Sequence, residues 1–425
     1  MGTVWLYILL AITLTESQKT PCLGGDVSCV CQSKKGRTTR TLAICTQSAK
    51  QLMTIPELAD LVTMDRLHLR LKTMWIDKIQ DYAFANTSLY SLYICCSKLG
   101  SIDGRAFAGV ASTLRVLKLP DNKLKYISSQ TFEGLQQLEV LDISRNRLRK
   151  LSSLCQVTLP LLQRLSLKDN RLSSAGNHCF GGMSSLRILD LSKNKIKKLM
   201  SLFLSGVQQT LVILDLSENQ ITTIPRRLFH GMSSLKELRL SSNRLMTIDS
   251  LCRLHMPRLY SLKLSDNQIA AIPQNCWRMA DGNAALPRLA LLSITKNYLQ
   301  DISSVCSAGF HSIRSLVLGG NEIRQLPADC FANMSQLRYL NLRGNSIADF
   351  YTTHGLERTR LVYLDISHNY ITSLPPNVTK HLPALKHLSV TGNKLRNYES
   401  HCKTGSSMVF DFGSTGAAVV YPCQK

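Results

Sequence analysis

The chain has fourteen cysteines, and their spacing limits the chemistry they can do. Six form three pairs with the same interval: Cys155 with Cys179, Cys252 with Cys276 and Cys306 with Cys330, each 24 residues apart. Cys22, Cys29, Cys31 and Cys45 follow the spacing C-x6-C-x-C-x13-C, Cys402 and Cys423 lie near the C-terminus, and Cys95 and Cys96 are adjacent. A C-x-C can ligate a metal, but no second ligand pair or histidine stands at zinc-like spacing. Disulfides of an oxidising compartment are the chemistry this usage implies. Cys95 and Cys96 suit a vicinal disulfide or bonds to a partner protein. Glycine-rich phosphate loops, H-E-x-x-H, G-x-S-x-G and kinase signatures are missing, and the ten histidines are scattered. The reading is therefore a non-enzymatic chain that calls for no cofactor and no metal.

Charge is the second resource. Lys and Arg total 51 against 28 acidic residues, a net of +23, which favours anionic partners. Seven of these charges are regularly placed: Lys123, Lys125, Arg147, Arg149, Arg171, Lys195 and Lys197. They suit a polyanion-binding ridge, and equally a solvated edge.

The element that positions both sets is a repeat. Twelve asparagines, from Asn122 and Asn146 to Asn369 and Asn393, recur every 24 or 25 residues, with one interval of 30 between Asn267 and Asn297. Each sits in L-x-x-L-x-L-x-x-N-x-L, as in Leu138, Leu141, Ile143, Asn146 and Leu148. Such a period means one supersecondary unit, copied and stacked. The alternating L-x-L predicts a short strand with leucines inward. The Asn amide can bond the backbone of its own turn and of its neighbour. A second apolar mark recurs at Phe107, Phe132, Phe180, Phe229 and Phe331, about ten residues after the ladder position. Two weaker copies put Ser97 and Lys72 in the Asn place, giving about fourteen repeats.

The repeat phase turns the cysteine spacing into a prediction. Each of the six paired cysteines lies nine residues after its ladder Asn, so each pair holds one position in two consecutive repeats. Stacked repeats are roughly 5 Å apart, within the roughly 4.4–6.8 Å Cα window of a disulfide. Three inter-repeat staples are expected. The ridge charges follow the ladder Asn directly or by three residues, so stacking lines them along one edge.

These repeats resemble the extracellular leucine-rich repeat family, with 24-residue units over roughly residues 60–400. The resemblance implies an α/β solenoid: a curved leucine-rich repeat horseshoe with a parallel concave sheet and disulfide-capped ends. It also implies an N-terminal cap joined by Cys22–Cys31 and Cys29–Cys45. Cys402 and Cys423, beyond the last repeat, are expected to close a C-terminal cap that is abbreviated or of another type, since many family members carry four cysteines there and this chain has two. The expected organisation is a signal peptide over 1–17, an N-terminal cap over 18–60, repeats over 61–397 and a C-terminal cap over 398–425. The apolar run 4–14 is too short to span a membrane, and no later stretch reaches 18 apolar residues. Sequons at Asn86, Asn333 and Asn377 fall in the segments after the strands. The 30-residue interval places an insertion near 277–287, expected to bulge from the convex or lateral side.

In this family the concave face recognises proteins. Arg338, Tyr339, Arg343 and Tyr363 are the first choice for a partner patch, because Tyr and Arg anchor interfaces. The repeats are similar to those of Toll-like receptor ectodomains and lamprey-type variable lymphocyte receptors, and also to those of matrix and guidance proteins. The resemblance implies a secreted, extracellular recognition protein of the innate-immune type, binding an extracellular protein or an anionic glycan, with a receptor chain or a homodimer as possible partners. The alternative is a matrix or adhesion protein binding glycosaminoglycan or cell-surface proteins.

Overall fold

Three-residue strands recur because the L-x-L core of each repeat leaves only that much chain flat before the turn. The computed structural model describes residues 20–23, 27–34, 40–47, 66–395 apart from 253, 352–353 and 376–377, then 409–411 and 420–421. It divides into two compact units, residues 1–138 and 139–425.

In the first unit, strands Thr20–Leu23, Val27–Lys34 and Arg40–Gln47 pair antiparallel in sequence order. Arg40–Gln47 then starts a parallel ladder with Leu67–Lys72, Leu89–Cys95 and Val116–Lys118. The second unit stacks eleven parallel repeat strands, from Val140–Asp142 to His387–Ser389. Val409–Asp411 joins that ladder in parallel and pairs antiparallel with Val420–Tyr421. Together the two ladders contain fourteen repeat strands, three in the first unit and eleven in the second, among the described residues.

Helix is scarce. The connecting segments are turns and short 3-10 stretches, with single α-turns at Ser303–Cys306 and Val378–His381. The β part of the expected class dominates, because 24 residues must return the chain to the next strand while satisfying its backbone turn by turn.

The central leucines of the strands, Leu141, Leu165, Leu189 and Leu214 among them, are fully buried. Each contributes on the order of 1.5–3 kcal/mol. The second apolar column is also buried. Phe84 stacks on Phe107 at 5.8 Å in the first unit, and Phe180 meets Phe203 edge-on at 5.1 Å in the second.

The asparagines form the expected ladder. Asn194 donates through Nδ2 to Leu191 and Ser192 in its own turn and to Leu167 in the turn before, at 3.0, 3.1 and 3.0 Å. Its Oδ1 accepts the Leu172 N–H at 3.1 Å. Ser97 does part of this work in its repeat, accepting from Met74 N–H and donating to the Cys95 carbonyl. The residue before each ladder Asn is left-handed. Nine are non-glycine with φ between 51° and 58°, among them Asp121, Arg145, Lys193 and His368, and three are Gly320, Gly344 and Gly392. This turn aims the N–H into the next repeat, as from Arg145 to Lys168 O and from Lys193 to Ser217 O.

The insertion corrects the sequence reading in part. Trp277 does not protrude: it is fully buried and tilted against Phe310 at 5.3 Å. It lies ten residues after Asn267, where other repeats place Phe. Burying a large ring there continues the apolar column, so Ala285 and Leu286 are buried with it and the exposed residues are the turn 280–283 and Pro287 at the end of the segment.

Candidate ligand-binding surfaces

The rigid frame comes first. Cys155 is joined to Cys179, Cys252 to Cys276 and Cys306 to Cys330, with Cα separations of 3.7, 4.2 and 4.4 Å. Each bridge ties equivalent points of successive repeats, in the segments that connect the strands. In the N-terminal hairpins the register sets Cys29 opposite Cys45, and Cys45 is disulfide-bonded. Cys402, Cys423 and Asn377 lie outside the described residues. Cys95 and Cys96 are thiols with their Sγ atoms 3.0 Å apart, the first buried and the second exposed. The hydrogen bond to Cys95, then burial, pushes the Cys96 thiol up to about 11.

Outward-facing strand residues form two distinct patches in the second unit. On strands Tyr339–Asn341 and Tyr363–Asp365, Tyr339 is in register with Tyr363. Their rings stack at 4.6 Å, with the planes 9° apart, and His387 on the next strand continues the row at 6.0 Å from Tyr363. Arg343 lies in the turn after its strand, where its guanidinium donates to Ser367 Oγ at 2.9 Å. Arg338 precedes the strand and is exposed at its rim. The structure thus brings the two tyrosines into contact and sets one arginine on each side of the first.

The second patch is ionic. Arg239 bonds Asp215 at 3.1 Å and Glu237 at 2.8 Å, and Lys263 reaches Glu237 at 3.4 Å. Burial works to raise the Glu237 carboxyl, but the hydrogen bond and charge of Arg239, with Lys263, outweigh it and hold the group low. Glu237 links the group, and nothing in the repeat phase of the sequence marks it for that role. Acid–base chemistry is unsuited to this cluster, because every carboxylate in it is held by a cation.

The seven ridge residues are all exposed, and none forms a salt bridge among the described residues. Lys123 and Lys125 belong to the first unit, and Arg147, Arg149, Arg171, Lys195 and Lys197 to the second. Within the second unit, backbone bonds step from Arg171 N–H to Leu148 O and from Lys195 N–H to Leu172 O, so these cations follow one another repeat by repeat. Asn86 and Asn333 are exposed in connecting segments. No group of metal-ligating side chains occurs among the described residues, and no helix of the described residues is long and apolar enough to cross a membrane.

Comparison with known proteins agrees with this geometry. The family model for the leucine rich repeat matches residues 87–152, 160–206, 209–274, 287–347 and 357–406, more than half of the chain. No curated protein matches. Among solved structures, a leucine-rich repeat protein of Leptospira interrogans is similar with a TM-score of 0.60 and 22% identity, over 80% of this chain and 87% of that one. Toll in its complex with Spatzle, from Drosophila, gives 0.63 and 17% over 88% of this chain and 54% of that one. TLR13 in complex with ssRNA13 gives 0.56 and 20% over 83% and 53%. The two receptors are about twice as long as the part this chain spans. The stacked L-x-L strands, the Asn ladder and the matching family model make this chain a member of the leucine-rich repeat family, whose fold is a scaffold for binding.

Proposed function

We propose that the chain is a secreted, non-catalytic recognition protein of the innate-immune receptor type, which binds an extracellular ligand through the outward face of its sheet. The observation that carries the reading is the Tyr339–Tyr363 stack beside Arg343. Two aromatic rings fixed by strand register give a large contact area at low entropic cost, and Tyr and Arg are preferred interface anchors. Three inter-repeat disulfides suit an oxidising compartment. Toll and TLR13, each solved with a bound ligand, support recognition as the use of this fold.

A display library of extracellular proteins, screened against the intact chain, tests the reading. Specific binders should lose at least tenfold in affinity when Tyr339→Ala and Tyr363→Ala are combined. Binders indifferent to both tyrosines refute the concave assignment. The basic ridge favours a second reading, a matrix or adhesion protein binding glycosaminoglycan, because its cations are exposed and form no salt bridge among the described residues. Ridge-driven binding to heparin must weaken steeply as salt rises.

A further inference from the structure

A trough of about 400 Å³ opens on the second unit, away from both the ridge and the tyrosine pair. Its residues come from the positions just before four consecutive strands, whereas the ridge residues follow the strands. Arg187, Lys236 and Arg258 bring three cations to it, and Ser185, Thr210 and Ser234 bring hydroxyls. All three cations are exposed, none is in a salt bridge among the described residues, and no carboxylate lines the trough. The nearest acid along the chain, Glu237, is engaged with Arg239 and Lys263 on the sheet face.

Backbone bonds hold the arrangement. Val212 N–H donates to Arg187 O, and Lys236 N–H to Val212 O, both at 2.8 Å. Arg187 and Lys236 therefore stand two strand spacings apart, roughly 10 Å, with the hydroxyls of Thr210 and Ser234 among them. Unpartnered cations this close repel one another, a cost that a bound anion removes. Alternating cations and hydroxyls suit a ligand with both anionic and hydroxyl groups. No aromatic ring lines the trough, so the stacking that holds single-stranded nucleic acid is missing here.

We propose that this trough binds a sulfated glycan, with Arg187, Lys236 and Arg258 holding its sulfate groups and Ser185, Thr210 and Ser234 bonding its hydroxyls. The proposal rests on the chain meeting extracellular ligands, but its test is a binding measurement that does not depend on secretion. Isothermal titration of the intact chain with a heparin-derived tetrasaccharide should show binding that weakens with salt. Arg187→Ser, Lys236→Ser and Arg258→Ser together should cut affinity at least tenfold and make the salt dependence shallower. Thr210→Val with Ser234→Ala should weaken binding severalfold while leaving the salt dependence unchanged, as a built site requires and diffuse charge does not. Arg226→Ser with Arg227→Ser, exposed cations of a connecting segment that line neither the trough nor the ridge, should leave tetrasaccharide affinity unchanged. No binding by the wild type, full binding by the trough triple variant, or equal competition by a single-stranded oligonucleotide would each overturn the proposal. Unchanged circular dichroism in the variants, expected because all these side chains are solvent-facing or half-buried, separates lost binding from lost fold.

Discussion

Replacing one ladder residue, Asn194, measures what the Asn ladder contributes. Its side chain makes four hydrogen bonds: three donated to Leu167, Leu191 and Ser192 carbonyls and one accepted from Leu172 N–H. The loss in Asn194→Ala is smaller than four bonds suggest. Leu167 O keeps Asn170 Nδ2, Leu191 O keeps Asn219 Nδ2, and Ser192 O keeps Asp169 N–H. Only Leu172 N–H is left with no partner, in a region where Asn194 is 7% exposed. One orphaned buried donor and the lost bonds together cost about 2–4 kcal/mol. Asn194→Asp has nearly the same shape but turns an oxygen toward three carbonyls, so it should cost more than alanine. Urea unfolding would give both values, and amide exchange at Leu172 should accelerate first, because solenoids open locally. An aspartate variant as stable as the alanine variant, or better, would refute this account of the ladder.

Three further outcomes follow from the same structure. Cys155→Ser with Cys179→Ser opens a loop closed over 24 residues, and the chain-entropy model gives a loss of about 3 kcal/mol, readable in denaturant midpoints under non-reducing conditions. His354 is buried, burial lowers its pKa, and its Nδ1 faces the Pro327 carbonyl at 3.2 Å. A lowered folded-state pKa means stability is present above the ordinary value of 6.5 and falls as pH drops through the depressed one, so His354→Leu should flatten thermal stability in the acid range. Charge reversal of Lys123, Arg147, Arg171 and Lys195 to Glu should move elution from heparin to much lower salt; unchanged elution would make the ridge a solvated edge.

Much of the frame was legible from phase. Once the Asn period is known, a cysteine nine residues after one Asn and another nine after the next must meet, and the three staples follow. The concave pair Tyr339 and Tyr363 was legible for the same reason, since equal phase means equal register. Arg338 was less so: the L-x-x-L wording does not say that the first x lies outside the strand. Trp277 was misplaced because the longer repeat was read as an insertion rather than as a Phe position occupied by Trp. The left-handed turn before each Asn had no single residue signature, as Asp, Arg, Lys, Glu, Ser, His and Gly all occupy it. The trough and the Glu237 link escaped because they arise across columns, from different residue types in different repeats.

Secretion of the full chain bears most directly on extracellular recognition. Expressed in a secretory eukaryotic cell, the protein should reach the medium with its first 17 residues removed. Peptide mapping without reduction should find Cys155–Cys179, Cys252–Cys276 and Cys306–Cys330. A chain kept in the cytosol, with free thiols at those six positions and unmodified Asn86 and Asn333, would contradict the account.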